Sequence, residues 1–312
     1  MNSTDVFSTD FVYKFKTLSV DHLRELQEDI DKLKREGKLS NHEIYRSYLN
    51  DKEFEIPENL PSARSLIVVA IFTKLMLVNF HANGRRHEVM LPPQYYSTGL
   101  TEEILRNIIS KRMIAEPGYK IEKAKHVHLK LLAVRSGLGR YGRNNLCYIE
   151  GMGSLLTLFA YFTDYQFEDN WTEIRMMDCC EDCRICMSHC PTNCITEENF
   201  VIDAGKCLSL YNEIEGEFPK WISPGAHNAL IGCMKCQLHC PANREVIKLT
   251  GRLEGVTEEE TAKILEGTPD EKLLNSLSNK LKNFYPTKSK DAFPVFTRNL
   301  RVLLNSKFDL SK

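Results

Sequence analysis

The stretch MDCCEDCRICMSHCPTNC, residues 177–194, holds six cysteines in eighteen residues. Within it Cys180, Cys183, Cys186 and Cys190 form C-x2-C-x2-C-x3-C, and Pro191 follows at once. This is the bacterial ferredoxin run, whose fourth cysteine serves the other cluster of a pair. A second run, Cys233, Cys236 and Cys240 followed by Pro241, repeats it short of one cysteine, and Cys207 in VIDAGKCLSLY can supply the missing thiol. The spacing therefore predicts two [4Fe–4S] clusters. One is expected on Cys180, Cys183, Cys186 and Cys240, the other on Cys233, Cys236, Cys190 and Cys207. Each proline ends a short helix and sends the fourth thiolate across to the partner cluster. Zinc is the alternative reading, because two C-x2-C pairs can bind it, yet a zinc ribbon needs only four ligands and has no use for the proline-terminated run. Cys147, Cys179 and Cys194 are left over and are expected to be buried, unreactive thiols.

At 312 residues the chain is long enough to bury a full core and to hold more than one domain. Its formal net charge is −1, with 27% charged and 42% hydrophobic residues, which gives no global argument for nucleic acid or membrane binding. The N-terminal MNSTDVFSTDFVYKFK shows no basic segment leading into an apolar one, so no leader is expected. The runs SLIVVAIF and GSLLTLFAYF are too short to span a bilayer. The expected location is the cytoplasm, a reducing compartment in which clustered cysteines point to metal ligation rather than disulfides.

Upstream of the cysteines, helix and strand patterns alternate. Residues 20–37 have helical periodicity ending at Gly37, and 62–72 read as a buried strand. Residues 74–92 read as a hairpin turning at Asn83-Gly84, and 100–119 as an amphipathic helix capped by Thr101. A helix is expected around 121–136, then the glycine-rich turn SGLGRYGRNN (136–145), then apolar segments at 145–150 and 154–163. The turn does not follow a strand, so it makes a poor dinucleotide fingerprint. Its glycines would let backbone approach a bulky ligand closely, or would simply make a tight structural turn. Downstream, 256–267, 270–284 and 291–306 read as helices. Lys280, Lys282, Lys288, Lys290, Arg298 and Arg301 make this end basic, a solvated face or a surface for RNA or an acidic partner.

In this order, LAVRSGLGRYGRNNL, GMGSLLTLFAYFTD, CEDCRICMSHCPT, IDAGKCLSLYNEIEG and IGCMKCQLHCPAN resemble the epoxyqueuosine reductase family, which is related to the reductive dehalogenases. The match covers roughly residues 55–245. The resemblance implies an α+β architecture. A nitroreductase-like domain binding cobalamin and substrate (1–165) precedes a two-cluster ferredoxin-like domain (166–250) and a short helical C-terminus (251–312). It also implies a low-potential electron donor such as ferredoxin or flavodoxin, with electrons passing through the clusters to cob(I)alamin for two-electron removal of oxygen or halide. Corrin contacts carried over by position are Arg140, Tyr141, Cys147, Leu158, Ser209 and Met234.

One departure bears on substrate. Members acting on epoxyqueuosine carry an aspartate, their proposed proton donor, in an Asp-Ser/Thr-Ala/Gly-Pro segment upstream of the turn. Aligning the turns puts KAKH there, with Lys123 in place of the aspartate and His126 in place of the proline. A small-molecule substrate other than epoxyqueuosine-containing tRNA is therefore expected, with His126 and Tyr96 the leading candidates for proton donor; His128, Tyr95 and Lys123 stand behind them. Two other classes share these features: a ferredoxin-type protein that reduces a docked partner without its own cobalamin, and a flavin-dependent reductase on the same frame.

Overall fold

The computed structural model describes residues 11–51, 54–114, 116–197, 200–288 and 290–308. Residues 1–10, part of the stretch without a leader pattern, lie outside them. Among the described residues the strands are β1 (Tyr13–Ser19), β2 (Ser65–Phe72), β3 (Met76–Ala82), β4 (Arg85–Leu91), β5 (Ile121–Lys123), β6 (Arg140–Tyr141), β7 (Cys147–Tyr148), β8 (Leu156–Thr163) and β9 (Gly251–Arg252). The α-helices are α1 (Leu23–Arg35), α2 (Glu43–Asn50), α3 (Glu102–Ile108), α4 (Leu129–Arg135), α5 (Ile185–Ser188), α6 (Leu208–Glu213), α7 (Lys235–Leu238), α8 (Arg244–Ile247), α9 (Glu258–Glu266), α10 (Glu271–Lys280) and α11 (Phe293–Phe308). The mixture is α+β, as expected. No helix among the described residues is long and apolar enough to cross a membrane.

Two compact units are present. The first runs to Phe72 and adds Gly99–Arg184 and Ile195–Gly205; the second takes Thr73–Thr98, Ile185–Cys194 and the chain from Lys206 onward.

The first unit is built on a sheet in the order β1-β2-β8-β5, antiparallel at each pairing. Strand β2 lies inside it, with Ser65 opposite both Ser19 and Thr163. Its alternate side chains feed two cores. Leu66, Val68 and Ala70 join Leu131, Leu132 and Met152 on one face, while Ile67, Val69 and Ile71 join Leu105, Ile109 and Tyr161 on the other. That double burial is why SLIVVAIF is unbroken by polar residues. Thr101 accepts from the Ile104 amide at 3.2 Å and starts α3, which continues as a π-turn over Ile109–Met113.

The helix expected around 121–136 forms only from Leu129. Ile121–Lys123 instead pairs with Thr163–Tyr161 as an edge strand, and the Ala124 amide donates to Ala160 at 2.9 Å. The pairing is non-local, so no local helical signal could reveal it.

In the second unit β3 and β4 form the expected hairpin, with Asn83 (φ 51°) and Gly84 (φ 66°) both left-handed as a type I′ turn demands. Strand β9 pairs in parallel with β3. Against the hairpin pack α9, α10 and α11 through Phe80, Phe284, Phe293 and Phe296, with the Phe296 ring edge-on to the other three at 5.4–6.1 Å. Helix α9 opens with a full capping box: Thr257 Oγ1 accepts from the Glu260 amide, and Glu260 accepts from the Thr257 amide. Several residues of the basic C-terminal end are engaged inside this unit. Lys280 Nζ pairs with Glu260 at 2.8 Å. Arg298 donates to the Tyr211 carbonyl at 2.7 Å and lies over the Phe218 ring, and Arg301 donates to the Leu265 carbonyl at 2.6 Å. Lys280, Arg298 and Arg301 are thus engaged in the unit's own packing.

A histidine clasp closes the first unit's α1 corner. His22 binds Glu25 through Nδ1 and Asp169 through Nε2 (2.7 Å), and its ring stacks on Trp171 at 4.0 Å. Arg135 lies over the other part of the clasp, 4.5 Å from the Trp171 ring, held by Asp29 in a two-pronged pair at 2.6 and 2.8 Å. Burial pulls the His22 pKa down, but the Glu25 and Asp169 carboxylates together outweigh it, so the net shift is upward. A raised folded-state pKa stabilises fully below the unfolded value of about 6.5 and is lost as pH rises through the folded value. The unfolding midpoint of the wild type is therefore expected to fall between pH 6 and pH 9 more steeply than that of His22→Gln. Parallel pH profiles for the two proteins would contradict the clasp.

Candidate iron–sulfur centre

All eleven cysteines lie within the described residues, and no disulfide forms among them. Cys190, Cys207, Cys233 and Cys236, the set expected to hold one cluster, all belong to the second unit. The stretches bearing Cys207 and Cys233 are tied together by side-chain amides. Asn212, on the helix that starts after Cys207, donates Nδ2 to the Gly232 carbonyl at 2.6 Å, and its Oδ1 accepts from His227 Nδ1 at 3.0 Å. Asn299 of α11 donates one amide group to the carbonyls of Asn212 and Leu230 at 2.8 and 3.0 Å. Asn228 donates to Cys233 Sγ at 3.2 Å, and its Oδ1 accepts from the Met234 amide at 2.8 Å. Asn212 and Asn299 are essentially fully buried, so each hydrogen bond is made out of water's reach and fixes one geometry.

The sulfurs sit among donors. Cys190 Sγ accepts from the Cys194 amide at 3.4 Å and lies 3.7 Å from Thr192 Oγ1 and 3.4 Å from Cys194 Sγ. The Cys194 hydrogen bond is the main cause that lowers the Cys190 thiol to about 5 and the Cys207 thiol to about 7, while Cys194 itself is driven upward by both. Burial raises the Cys233 thiol. Among the described residues no three His, Cys, Asp or Glu side chains surround a single point at one ion's ligand spacing. A cubane asks for something else, since each of its four thiolates binds a different iron. Soft sulfur donors on short loops, supplied with N–H groups, fit an iron–sulfur cluster.

Cys180 and Cys183 lie in the first unit, and Cys186 and Cys240 in the second. Arg143, in the glycine turn, is buried and donates to the carbonyls of Cys180, Glu181 and Glu197. The turn thus clamps the loop bearing the first cysteines. Its glycines serve that packing. A Cβ on Gly139 would meet Cys147 Sγ at 2.6 Å and the Tyr148 carbonyl at 2.8 Å, and one on Gly142 would meet the Tyr148 ring at 2.5 Å. The close approach they permit is to the chain's own β7.

The residues expected at a corrin are placed as follows. Arg140 is exposed and paired with Asp178 at 2.8 Å. Tyr141 is buried and stacked on Phe200 at 4.3 Å. Cys147 is buried, which raises its thiol to about 12. Leu158 lies on β8 in the first unit; Ser209 on α6 and the fully buried Met234 lie in the second. Within the turn, Gly139 and Gly142 are taken up by packing against β7 and Tyr148.

Among the candidate acids, Lys123 is on β5 and pairs with Glu102 at 3.1 Å. His126 is exposed at φ 57° on the loop before α4, and His128 on the same loop tilts against Phe54. The two histidines therefore do not share a helix. Tyr96 is buried, donates to the Lys74 carbonyl at 2.5 Å, and is raised to about 12 by burial. Tyr95 donates to the Glu213 carboxylate; burial first, then Glu213, hold it well above the ordinary range, with smaller contributions from Cys207 and Cys233. Glu213, Asn228 and Cys194 are the residues that spacing alone did not single out, although the extra cysteine of CPTNC was a visible signal.

Replacing Arg143 with Met strips donors from three carbonyls, at about 1–3 kcal/mol for each buried acceptor left unmade. Arg143→Met is expected to lower the unfolding midpoint and to lose iron from one cluster while keeping the other, measured by iron content and electron paramagnetic resonance. Unchanged iron and stability would show that the clamp is dispensable.

Residues 179–243 match the family model described as a 4Fe-4S double cluster binding domain, which decides between iron–sulfur and zinc. The epoxyqueuosine reductase of Staphylococcus aureus is 27% identical over 60% of this chain and 50% of its own length; the chain thus spans about half of that relative. The structure of epoxyqueuosine reductase from Streptococcus thermophilus superposes with a TM-score of 0.65 at 18% identity, covering 94% of this chain and 77% of that one. A structure of epoxyqueuosine reductase with an epoxyqueuosine-modified tRNA-Tyr stem loop superposes with a TM-score of 0.64 at 17% identity, covering 96% and 78%. By sequence, by fold and by its double-cluster segment, the chain is a relative of the epoxyqueuosine reductase family.

Proposed function

We propose that the chain is an iron–sulfur oxidoreductase of the epoxyqueuosine reductase kind. A low-potential donor such as ferredoxin or flavodoxin supplies electrons to two [4Fe–4S] clusters for a two-electron reductive removal of oxygen or halide. The observation that carries this reading is the double-cluster segment in a chain whose fold follows an epoxyqueuosine reductase over 94% of its length. The ligand sets are those of the spacing: Cys180, Cys183, Cys186 and Cys240, and Cys190, Cys207, Cys233 and Cys236. Cobalamin is the proposed partner cofactor, on the family positions Arg140, Tyr141, Cys147, Leu158, Ser209 and Met234. When bound, a corrinoid supplies a strong nucleophile.

The substrate we propose is a small molecule other than epoxyqueuosine in tRNA. The tRNA-bound relative supports a tRNA substrate. Lys123, tied to Glu102 where the tRNA-modifying enzymes carry their acid, argues against it. His126, exposed on the adjoining loop, is the proposed proton donor. Tyr96, with its hydroxyl engaged by Lys74 in a buried setting, is the second candidate. A ferredoxin-type protein reducing a docked partner is the competing reading, favoured by the packing of Gly139 and Gly142 against β7.

The test uses anaerobically reconstituted full-length protein with hydroxocobalamin, a low-potential reductant and epoxyqueuosine-containing tRNA. Expected are about eight iron and eight sulfide per chain, a bound base-off corrinoid signal, and little or no queuosine by nucleoside mass spectrometry. Only a free-corrinoid signal at excess protein would favour the docked-partner reading, and flavin absorbance on purification a flavin reductase. Turnover matching an authentic reductase would overturn the substrate proposal. On the substrate that is turned over, His126→Ala is expected to cost ~10²–10⁴-fold in rate with iron unchanged. Tyr96→Phe is expected to cost about 1 kcal/mol of stability. A rate loss in Tyr96→Phe alone would transfer the role of acid to Tyr96.

A further inference from the structure

The second unit contains a thiol, Cys194, that belongs to neither of the two expected ligand sets. Cys194 follows Cys190 by four residues, is buried, and places its sulfur 3.4 Å from Cys190 Sγ. It therefore touches one of the four sulfurs expected on the second cluster. The link to Cys190 is doubled, because the Cys194 amide donates to the same sulfur. A buried thiol that merely filled space would need none of these contacts.

The distance is chemically specific. Two thiolates on one tetrahedral metal stand about 3.8 Å apart at a metal–sulfur length of about 2.3 Å. At 3.4 Å, Cys190 and Cys194 are spaced so that a small side-chain rotation exchanges one sulfur for the other on the same iron. The residue is also the right kind: a thiolate is the soft ligand that iron–sulfur clusters select, whereas a serine or alanine at this position could offer nothing equivalent.

We propose that Cys194 is a fifth thiol of the second cluster, donating its S–H to the sulfur of Cys190 and replacing Cys190 on iron when that ligand is lost. In the exchange the iron–sulfur bond to Cys190 breaks and one to Cys194 forms. The Cys194 proton passes to the departing Cys190 thiolate, and no electron is gained or lost. Cys233 Sγ instead accepts from the side-chain amide of Asn228 at 3.2 Å.

This inference rests on the double-cluster reading, and the experiment separates the two. Wild type, Cys190→Ala, Cys194→Ala, Cys190→Ala/Cys194→Ala and Cys233→Ala chains are reconstituted anaerobically and assayed for iron, sulfide and reduced-state electron paramagnetic resonance. Wild type well below about eight iron per chain would sink the double-cluster reading itself. With wild type at about eight, Cys190→Ala is expected to stay near eight, and the double variant and Cys233→Ala to fall to about four. A fall to about four in Cys190→Ala alone, or retention of about eight in the double variant, overturns the role of Cys194. Cys194→Ala keeps all four expected ligands and serves if the Cys190 variants do not fold. Losing an S–H donor to the Cys190 sulfur is expected to lower the midpoint potential of one cluster only, and an unchanged potential overturns the contact.

Discussion

The second unit depends on a pair of buried asparagines. Asn212 and Asn299 bring together the helix that follows Cys207, the loop that precedes Cys233 and the long C-terminal helix, using only backbone carbonyls and each other's chain. Soft-metal chemistry needs thiols from distant stretches to converge, yet hydrophobic packing has no directional preference that could set their spacing. Amide hydrogen bonds out of water do, because a misplaced partner leaves a buried polar group unmade. That accounts for a helix as late as Phe293–Phe308 in a unit whose chemistry ends at Cys240: the helix carries one of the two asparagines.

The first unit meets its constraint differently. A buried guanidinium, not an amide, reaches from the glycine turn to the carbonyls around Cys180. The turn's glycines let β7 come close enough for Arg143 to be enclosed. Sequence alone gives the glycines two readings, ligand approach or tight turn, and the atoms that a Cβ would strike belong to the protein itself.

Much of the architecture was legible because its signals are local. The Asn83-Gly84 turn, the Thr257 cap and the continuous apolar run of β2 each carry their cause within a few residues. The three-residue strand Ile121–Lys123 was not, because its only structural reason is its partner on β8. The grouping of the hairpin with the C-terminal helices was equally hidden, since the apolar faces of β3 and β4 do not say which helices will cover them. At the site, spacing singled out the expected ligand cysteines because cluster geometry constrains near neighbours. Glu213 beside Tyr95 arises from the folding back of a distant segment and leaves no trace in spacing, whereas Asn228 stands close before Cys233 but is not a residue type that cluster spacing points to.

The hairpin also has a consequence in time. It is synthesised early, but the strand that pairs with β3 and the helices that cover its apolar face lie far downstream, at Gly251–Arg252 and beyond Glu258. At a synthesis rate of about 5–20 residues per second, Met76–Leu91 waits on the order of ten seconds or more before its covering elements exist. During that interval the chain carries a strand edge and an apolar face with nothing of its own to bury them, and such surfaces invite pairing with other chains. Folding of the second unit is therefore a late event on the ribosome, and a factor that shields nascent apolar segments has a defined place to act.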